Sequence, residues 1–169
     1  VKIVVLRASG YNGINIPAAT KLGLKVLTVP AYSPEAVAEH NFALLLSLVR
    51  KIHRAYNRVR DLNFSLDGLE GFNLHGRTYG LIGTGRIGLC AARIAKGFGC
   101  TIIAYDPFPN DAAAKDIGFS YVPFEDLLEK ANIISLHLPL SAQTHHLINE
   151  AAIFCKDTGA IEIYTSRGG

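Results

Sequence analysis

A glycine-rich segment and a later aspartate are the residues whose types and spacing point most directly to a chemistry. Gly83, Gly85 and Gly88 form a GxGxxG pattern after one apolar run, and Asp106 ends the next apolar run. In a dinucleotide-binding turn, such glycines allow a tight turn, close approach of a pyrophosphate, and packing of helix on strand. The following helix start offers free N–H groups to the phosphates, and Arg86 can add a charged hydrogen bond.

The carboxylate of Asp106 predicts which dinucleotide binds. It can accept hydrogen bonds from the hydroxyls of an adenosine ribose, but it would repel a 2′-phosphate. Two like charges about 4 Å apart repel by roughly 4 kcal/mol at an effective dielectric constant of about 20. The next three residues, Pro107, Phe108 and Pro109, include no lysine or arginine to bind such a phosphate. The pattern therefore predicts NAD rather than NADP.

A parallel sheet is needed to position these residues, and the chain has the alternation of strands and helices that is typical of one. We predict strands at residues 3–6, 25–29, 78–82, 101–105, 120–122, 133–137 and 160–164. We predict helices at residues 17–22, 34–60, 86–98, 112–116, 124–130 and 150–155. Ser33 and Pro34 are typical of a helix start. Residues 37–49 are apolar nearly all round, so we expect that part of the helix to be buried.

Composition narrows the classes of partner. The chain has 169 residues, of which 49% are hydrophobic and 18% charged, enough apolar surface for a folded core. A formal charge of +3 predicts neither nucleic acid nor a membrane as a partner. No apolar run approaches the roughly 18 residues of a membrane span. Arg50, Arg54 and Arg58 share one predicted helix face, which is more typical of a solvated or dimer-rim surface than of a nucleic-acid site.

Cysteine usage and the two ends of the chain complete this first description. Cys90, Cys100 and Cys155 lack CxxC spacing, and no leader pattern is present, so we expect reduced thiols in a cytoplasmic protein. The pair His145-His146 has no ligand cluster around it, so no metal site is predicted. The chain begins and ends beside predicted strands, and we expect it to be the middle of a longer protein.

Three segments together resemble the NAD-dependent D-isomer-specific 2-hydroxyacid dehydrogenases, in the family's order and across essentially the whole chain. They are the glycine-rich segment 80–88, the segment 137–140 with Thr144, and the final Thr-Ser-Arg-Gly-Gly at 165–169. Residues 29–40 and 50–58 resemble the D-lactate dehydrogenase branch in particular. The resemblance implies hydride transfer between NAD(H) and a small 2-hydroxy or 2-keto acid, with D-lactate and pyruvate as the expected pair.

The family's architecture also implies a division of the chain. Residues 1–32 would be a remnant of a flavodoxin-like substrate domain. Residues 33–169 would be an NAD-binding domain, truncated on its C-terminal side, with the Rossmann-type, doubly wound parallel sheet of an α/β fold. The resemblance further implies a homodimer that forms partly through the helix beginning at Pro34.

Residue roles follow from the same resemblance. Arg167 matches the catalytic arginine, which pairs with the substrate carboxylate and polarises the keto oxygen, and a planar, permanently charged group suits both tasks. Ser9, Gly10 and Tyr32 match substrate-binding positions. The positions that match cofactor-binding residues are Gly83, Thr84, Gly85, Arg86, Ile87, Gly88, Asp106, Leu138, Pro139, Thr144, Thr165, Ser166 and Arg167.

The family's remaining catalytic groups have no match in this chain. The histidine that supplies the proton, and the glutamate that raises its pKa, would lie beyond Gly169. We therefore expect no turnover from the chain alone. Three alternatives stay open: a relative acting on phosphoglycerate, formate or hydroxyisocaproate, an NAD-sensing corepressor-like protein, and a non-functional remnant.

The last strand departs from the family pattern. Glu162 and Tyr164 occupy a segment that is usually apolar and ends in a small amide. In a central parallel strand, which is buried on both faces, Glu162 would need a partner or a proton.

Overall fold

The computed structural model describes residues 1–30, 33–156 and 158–166, and the chain divides into two compact units, Val1–Pro34 and Glu35–Gly169. The predicted boundary between residues 32 and 33 lies close to this division. Tyr32 and Arg167, to which the resemblance gives substrate roles, lie outside the described residues. Within the described part of the chain, no helix has the length and apolarity needed to cross a membrane.

The first unit is a small β–α–β arrangement. Strand β1 (Ile3–Leu6) and strand β2 (Lys25–Thr28) pair in parallel, and helix α1 (Ile16–Lys21) connects them. The side chain of Asn15 caps α1 by accepting a hydrogen bond from the amide of Ala18 at 2.9 Å. Alternate residues of both strands are exposed, so one face of this two-stranded sheet is open in the described unit.

The second unit is a five-stranded parallel sheet with helices on both faces. Its elements are α2 (Pro34–Arg50), α3 (Ile52–Arg60), β3 (Thr78–Ile82), α4 (Arg86–Gly97), β4 (Thr101–Tyr105), α5 (Asp111–Ile117), β5 (Ser120–Tyr121), α6 (Phe124–Lys130), β6 (Ile133–Leu136), α7 (Glu150–Phe154) and β7 (Ile161–Tyr164). The strand order is β5-β4-β3-β6-β7, and every pair is parallel. From β3 the chain adds β4 and β5 on one side and then β6 and β7 on the other side. This arrangement confirms the predicted doubly wound fold.

The core has two halves because side chains alternate along the central strand. Tyr79 and Leu81 of β3 pack toward α2 and α4, whereas Ile82 packs toward α6. Gly80 lies under α6, where a Cβ atom would come within 2.7 Å of the Cβ of Ala131. Burial on both faces fixes β3 at the centre of the unit, and its carboxyl end carries the glycine-rich turn.

The long helix differs from its prediction in two ways. It is not continuous: α2 ends at Arg50, and Lys51 takes a left-handed backbone conformation with φ 51° before α3 begins. The expected burial holds for one face, which includes Phe42 and Leu45, but Leu44 and Leu48 are 45% and 53% exposed. The apolar character of the other face is therefore not explained by packing within the described chain.

Glu162 has the partner that the sequence analysis requires of a carboxylate in this strand. Strand β7 lies at the edge of the described sheet and pairs on one side with β6. Glu162 is exposed and forms an ion pair with Lys156, while its neighbour Ile163 is buried in the core. The carboxylate therefore keeps both solvent and a partner, and burial does not penalise it.

Candidate functional site

The glycine-rich turn connects the carboxyl end of β3 to the start of α4. Gly83 has φ +95°, and a Cβ atom there would lie 2.8 Å from the carbonyl oxygen of His137. A Cβ atom on Gly88 would collide with the carbonyl oxygen of Gly83. The fold itself therefore requires glycine at both positions, because a side chain at either would push the turn away from its neighbours.

Gly85 differs from Gly83 and Gly88, and its surroundings show whether a dinucleotide fits beside the turn. Its φ is −68°, which any residue adopts, and an added Cβ atom would meet nothing within 4 Å. Neither the backbone nor the packing requires glycine here. The absent side chain leaves open space beside the N-terminus of the 12-residue helix α4, whose first N–H groups lack intrahelical acceptors. An approaching pyrophosphate fits this space and these donors.

Asp106 lies beside this turn because β3 and β4 are neighbours in the sheet. Its Oδ2 accepts hydrogen bonds from the amide of Thr84 at 2.7 Å and from the hydroxyl of Thr84 at 2.9 Å. Its Oδ1 accepts one from the amide of Phe108 at 2.9 Å. The two halves of the predicted motif are thus bonded directly to each other. Three protein donors fix the half-buried carboxylate, and Oδ1 keeps capacity for a further donor.

Tyr121 completes this cluster and was not predicted from the sequence. Its hydroxyl lies 2.8 Å from the hydroxyl of Thr84 and accepts a hydrogen bond from the amide of Asn110 at 2.8 Å. Tyr121 ends the short strand β5, which pairs with β4. The order of the strands brings it to the site, and no local pattern around residue 121 signals this.

A second polar network lies on the other side of the turn. The hydroxyl of Tyr79 donates to the Asn41 side-chain oxygen at 3.0 Å, and the Asn41 amide donates to the hydroxyl of Ser135 at 2.9 Å. That hydroxyl lies 2.9 Å from Nε2 of His137. Burial lowers the pKa of His137 to about 4 and raises the pKa of Tyr79. The network is therefore neutral at physiological pH.

The segment after β6 lies against the glycine-rich turn. The amide of His137 donates to the carbonyl of Ile82 at 2.8 Å, and Leu138 is close enough to Gly83 that an added Cβ atom would come within 2.9 Å of it. The hydroxyl of Thr144 donates to the carbonyl of Pro139 and accepts from the amide of Ser141. Thr144 thus holds the loop 139–144 in shape through its own hydroxyl.

Thr165 and Ser166 follow the carboxyl end of β7, which lies beside the carboxyl end of β6. The hydroxyl of Ser166 donates to the carbonyl of Leu136 at 3.0 Å. The hydroxyl of Thr165 is buried and has no hydrogen-bond partner among the residues that the structure describes. A buried hydroxyl without a partner is energetically unfavourable.

The remaining predicted positions lie at the start of α4, in the first unit and in the segment 145–146. Arg86 is exposed at the first position of α4, and Ile87 is half-buried behind it. Ser9 and Gly10 follow β1 in the first unit. The rings of His145 and His146 stack with centroids 3.9 Å apart, and the described residues contain no group of three or more histidine, cysteine or acidic side chains that could hold a metal.

Comparison with known proteins identifies the family. Residues 42–169 match the D-isomer specific 2-hydroxyacid dehydrogenase, NAD binding domain. The D-lactate dehydrogenase of Escherichia coli K12 is 51% identical over 168 residues, which cover 99% of this chain and 51% of the relative. The apo-structure of D-lactate dehydrogenase from Escherichia coli has a TM-score of 0.94 at 50% identity, with 99% of this chain and 53% of that chain covered. A D-lactate dehydrogenase from Aquifex aeolicus complexed with NAD and lactic acid has a TM-score of 0.88 at 40% identity, with coverages of 99% and 50%.

The chain belongs to the D-isomer specific 2-hydroxyacid dehydrogenases and contains their NAD-binding domain. The match confirms both the resemblance and NAD as the predicted cofactor. The chain spans about half the length of the curated relatives that it matches.

Proposed function

We propose that the complete gene product is an NAD-dependent oxidoreductase that interconverts a small 2-hydroxy acid and its 2-keto acid, with D-lactate and pyruvate as the pair. The observation that carries the proposal is the open space at Gly85, beside the N-terminus of α4 and opposite a fixed carboxylate at Asp106. The family of the chain and its 51% identity to a D-lactate dehydrogenase support the choice of substrate.

Three groups of residues would bind three parts of the cofactor. The glycine-rich turn and the free amides at the start of α4 would hold the pyrophosphate, and Asp106 would accept a hydrogen bond from the adenosine ribose. Residues that follow β6 and β7, on the other side of β3 from Asp106, would border the nicotinamide and its ribose. They are Leu138, Pro139, Thr144, Thr165 and Ser166. When bound, the nicotinamide supplies or accepts the hydride of the reaction. The protein's own part is to orient the dinucleotide and to exclude water from its reactive end.

The residues proposed to bind the substrate are those that the family resemblance implies. Arg167 would pair with the substrate carboxylate and polarise the carbonyl oxygen. Ser9, Gly10 and Tyr32 are the other proposed substrate-binding residues. The proton of the hydroxyl group would be moved by a histidine, assisted by a glutamate, encoded beyond Gly169. Residues 1–32 would belong to the substrate domain and residues 33–169 to the cofactor domain.

The exposed apolar residues of α2 and α3 support a homodimer. Leu44, Leu48, Ile52, Tyr56 and Val59 are each at least 45% exposed and lie within these two helices. Large apolar side chains exposed to this extent on two successive helices favour a protein interface. A second copy of the chain would cover it. A cytoplasmic location stays a prediction.

A direct assay of the complete gene product tests the proposed reaction. Purified protein should oxidise NADH with pyruvate and reduce NAD with D-lactate but not with L-lactate, followed by absorbance at 340 nm. Hydroxypyruvate and 4-methyl-2-oxopentanoate, offered in parallel, distinguish the relatives that act on larger acids. NADH binding without turnover of any 2-keto acid would contradict the enzymatic proposal and favour an NAD-sensing protein.

A further inference from the structure

The hydroxyl of Tyr121 has a position that neither the glycine motif nor the ribose carboxylate explains. It lies between the start of α5 and the glycine-rich turn, and it bonds to Asn110 on one side and Thr84 on the other. The side chain of Asn110 also caps α5 by accepting from the amide of Ala113 at 3.0 Å. Tyr121 therefore connects three segments that meet beside Asp106.

We assign the donors and acceptors of this cluster from the single hydrogen that each hydroxyl carries. An ionised carboxylate has no hydrogen to give, so the single hydroxyl hydrogen of Thr84 is donated to Asp106. The bond between Thr84 and Tyr121 must then use the hydrogen of Tyr121, with the Thr84 oxygen accepting. The Tyr121 oxygen in turn accepts from the amide of Asn110. The hydrogen bonds run in one direction, from Asn110 through Tyr121 and Thr84 to Asp106.

Through this direction of hydrogen bonding, Tyr121 influences the Asp106 carboxylate. Because Tyr121 occupies the acceptor side of the Thr84 hydroxyl, the hydrogen of that hydroxyl is turned toward Oδ2 of Asp106. Together with the Thr84 amide, it holds Oδ2, and the Phe108 amide holds Oδ1 from another side. The carboxylate then cannot turn away to admit a 2′-phosphate without breaking these bonds.

We propose that Tyr121 is a positioning residue for the adenosine-ribose site, and that through Thr84 it strengthens the discrimination of the protein against NADPH. The inference rests on the proposed function and adds a residue to its cofactor site. Without the Tyr121 hydroxyl, Thr84 loses its incoming donor and its hydroxyl can rotate, so the carboxylate gains freedom. NADPH binding should then improve relative to NADH binding.

The test measures dissociation constants of NADH and NADPH for the complete gene product and its Tyr121→Phe variant by titration of nicotinamide fluorescence. The ratio of the NADPH constant to the NADH constant should fall about three- to tenfold in the variant, the effect of one hydrogen bond. Tyr105→Phe is the matched control. It removes a hydroxyl from the neighbouring strand β4, where the ring packs against Phe124 at 5.2 Å, and should leave the ratio unchanged.

A second set of variants tests the route through Thr84. Thr84→Val should lower the ratio as Tyr121→Phe does, Thr84→Ser should restore it, and Tyr121→Phe should have no further effect in the Thr84→Val background. If Tyr121→Phe does not fold, the comparison of Thr84→Val with Thr84→Ser still decides whether the directed hydroxyl matters. An unchanged ratio in a protein that binds NADH would overturn the inference and leave the proposed function intact. A wild-type protein that does not bind NADH would overturn both.

Discussion

The two polar networks on either side of the glycine-rich turn differ in charge and in burial. The network of Thr84, Asp106 and Tyr121 contains a carboxylate and is only partly buried. The network of Tyr79, Asn41, Ser135 and His137 is neutral, and its first three members are fully buried. A fixed charge with solvent access can recognise a ligand, whereas a neutral buried network can only hold the chain together.

The difference shows how one turn receives support from two kinds of contact. On the buried side, Asn41 connects α2 to the core of the sheet, and the last bond of that network reaches His137, whose carbonyl oxygen lies against Gly83. On the partly buried side, backbone and hydroxyl donors fix a carboxylate beside the same turn. Damage to the first network should therefore lower stability, and damage to the second should change cofactor binding.

The largest effect is expected from Asn41→Ala. The change leaves the buried hydroxyl of Tyr79 without its acceptor, removes the donor to Ser135, and creates a cavity where Asn41 is completely buried. The free energy of unfolding should fall by about 2–4 kcal/mol, measured by urea denaturation. Asn57→Ala, at an exposed position of α3, is the control and should change stability little. Loss of stability no greater than in the control would mean that the buried network is not a structural support.

Gly85→Ala, in the turn between the two networks, should lower the affinity for NADH without lowering the stability of the protein. Since an added Cβ atom meets no protein atom, the thermal midpoint should not fall, while the affinity for NADH should drop about 10- to 100-fold because the methyl group occupies the space of the pyrophosphate. Gly97→Ala, at the other end of α4, also adds a methyl group in open space and should leave the affinity unchanged. NADH affinity that survives Gly85→Ala would remove the main support for a dinucleotide at this turn.

The sequence predicts most of this side of the site because its parts are local. Strand β3, the three glycines, α4 and Asp106 belong to one strand–helix–strand unit, and the parallel pairing of β3 with β4 brings the carboxylate to the turn. Their types and spacing were sufficient for a prediction of NAD binding.

The sequence could not predict contacts that depend on the order of strands or on distant elements. Asn41 and Ser135 are 94 positions apart, and Tyr121 reaches Thr84 only because β5 lies beside β4. The break at Lys51 and the exposure of Leu44 were also missed. A run that is apolar nearly all round predicts burial but does not show whether the covering surface belongs to the same chain.

A dependence of stability on pH is expected from His137. In the folded protein burial lowers the pKa of His137 to about 4, whereas in the unfolded chain it would titrate near its ordinary value of 6.5. Between these values the unfolded chain binds more protons than the folded one. The free energy of unfolding should therefore fall as the pH drops from 6.5 to 4, and it should not change through this group above 6.5.

The contribution of His137 should be about 2–3 kcal/mol across that range, because the pKa in the folded protein lies roughly 2.5 units below its ordinary value. His137→Gln keeps an acceptor for Ser135 and cannot titrate, so its urea-denaturation curves should lose less stability than the wild type between pH 6.5 and 4. His145→Gln, which removes an exposed histidine outside the network, is the matched control. Parallel loss of stability in the wild type and His137→Gln would mean that the buried network does not hold His137 neutral.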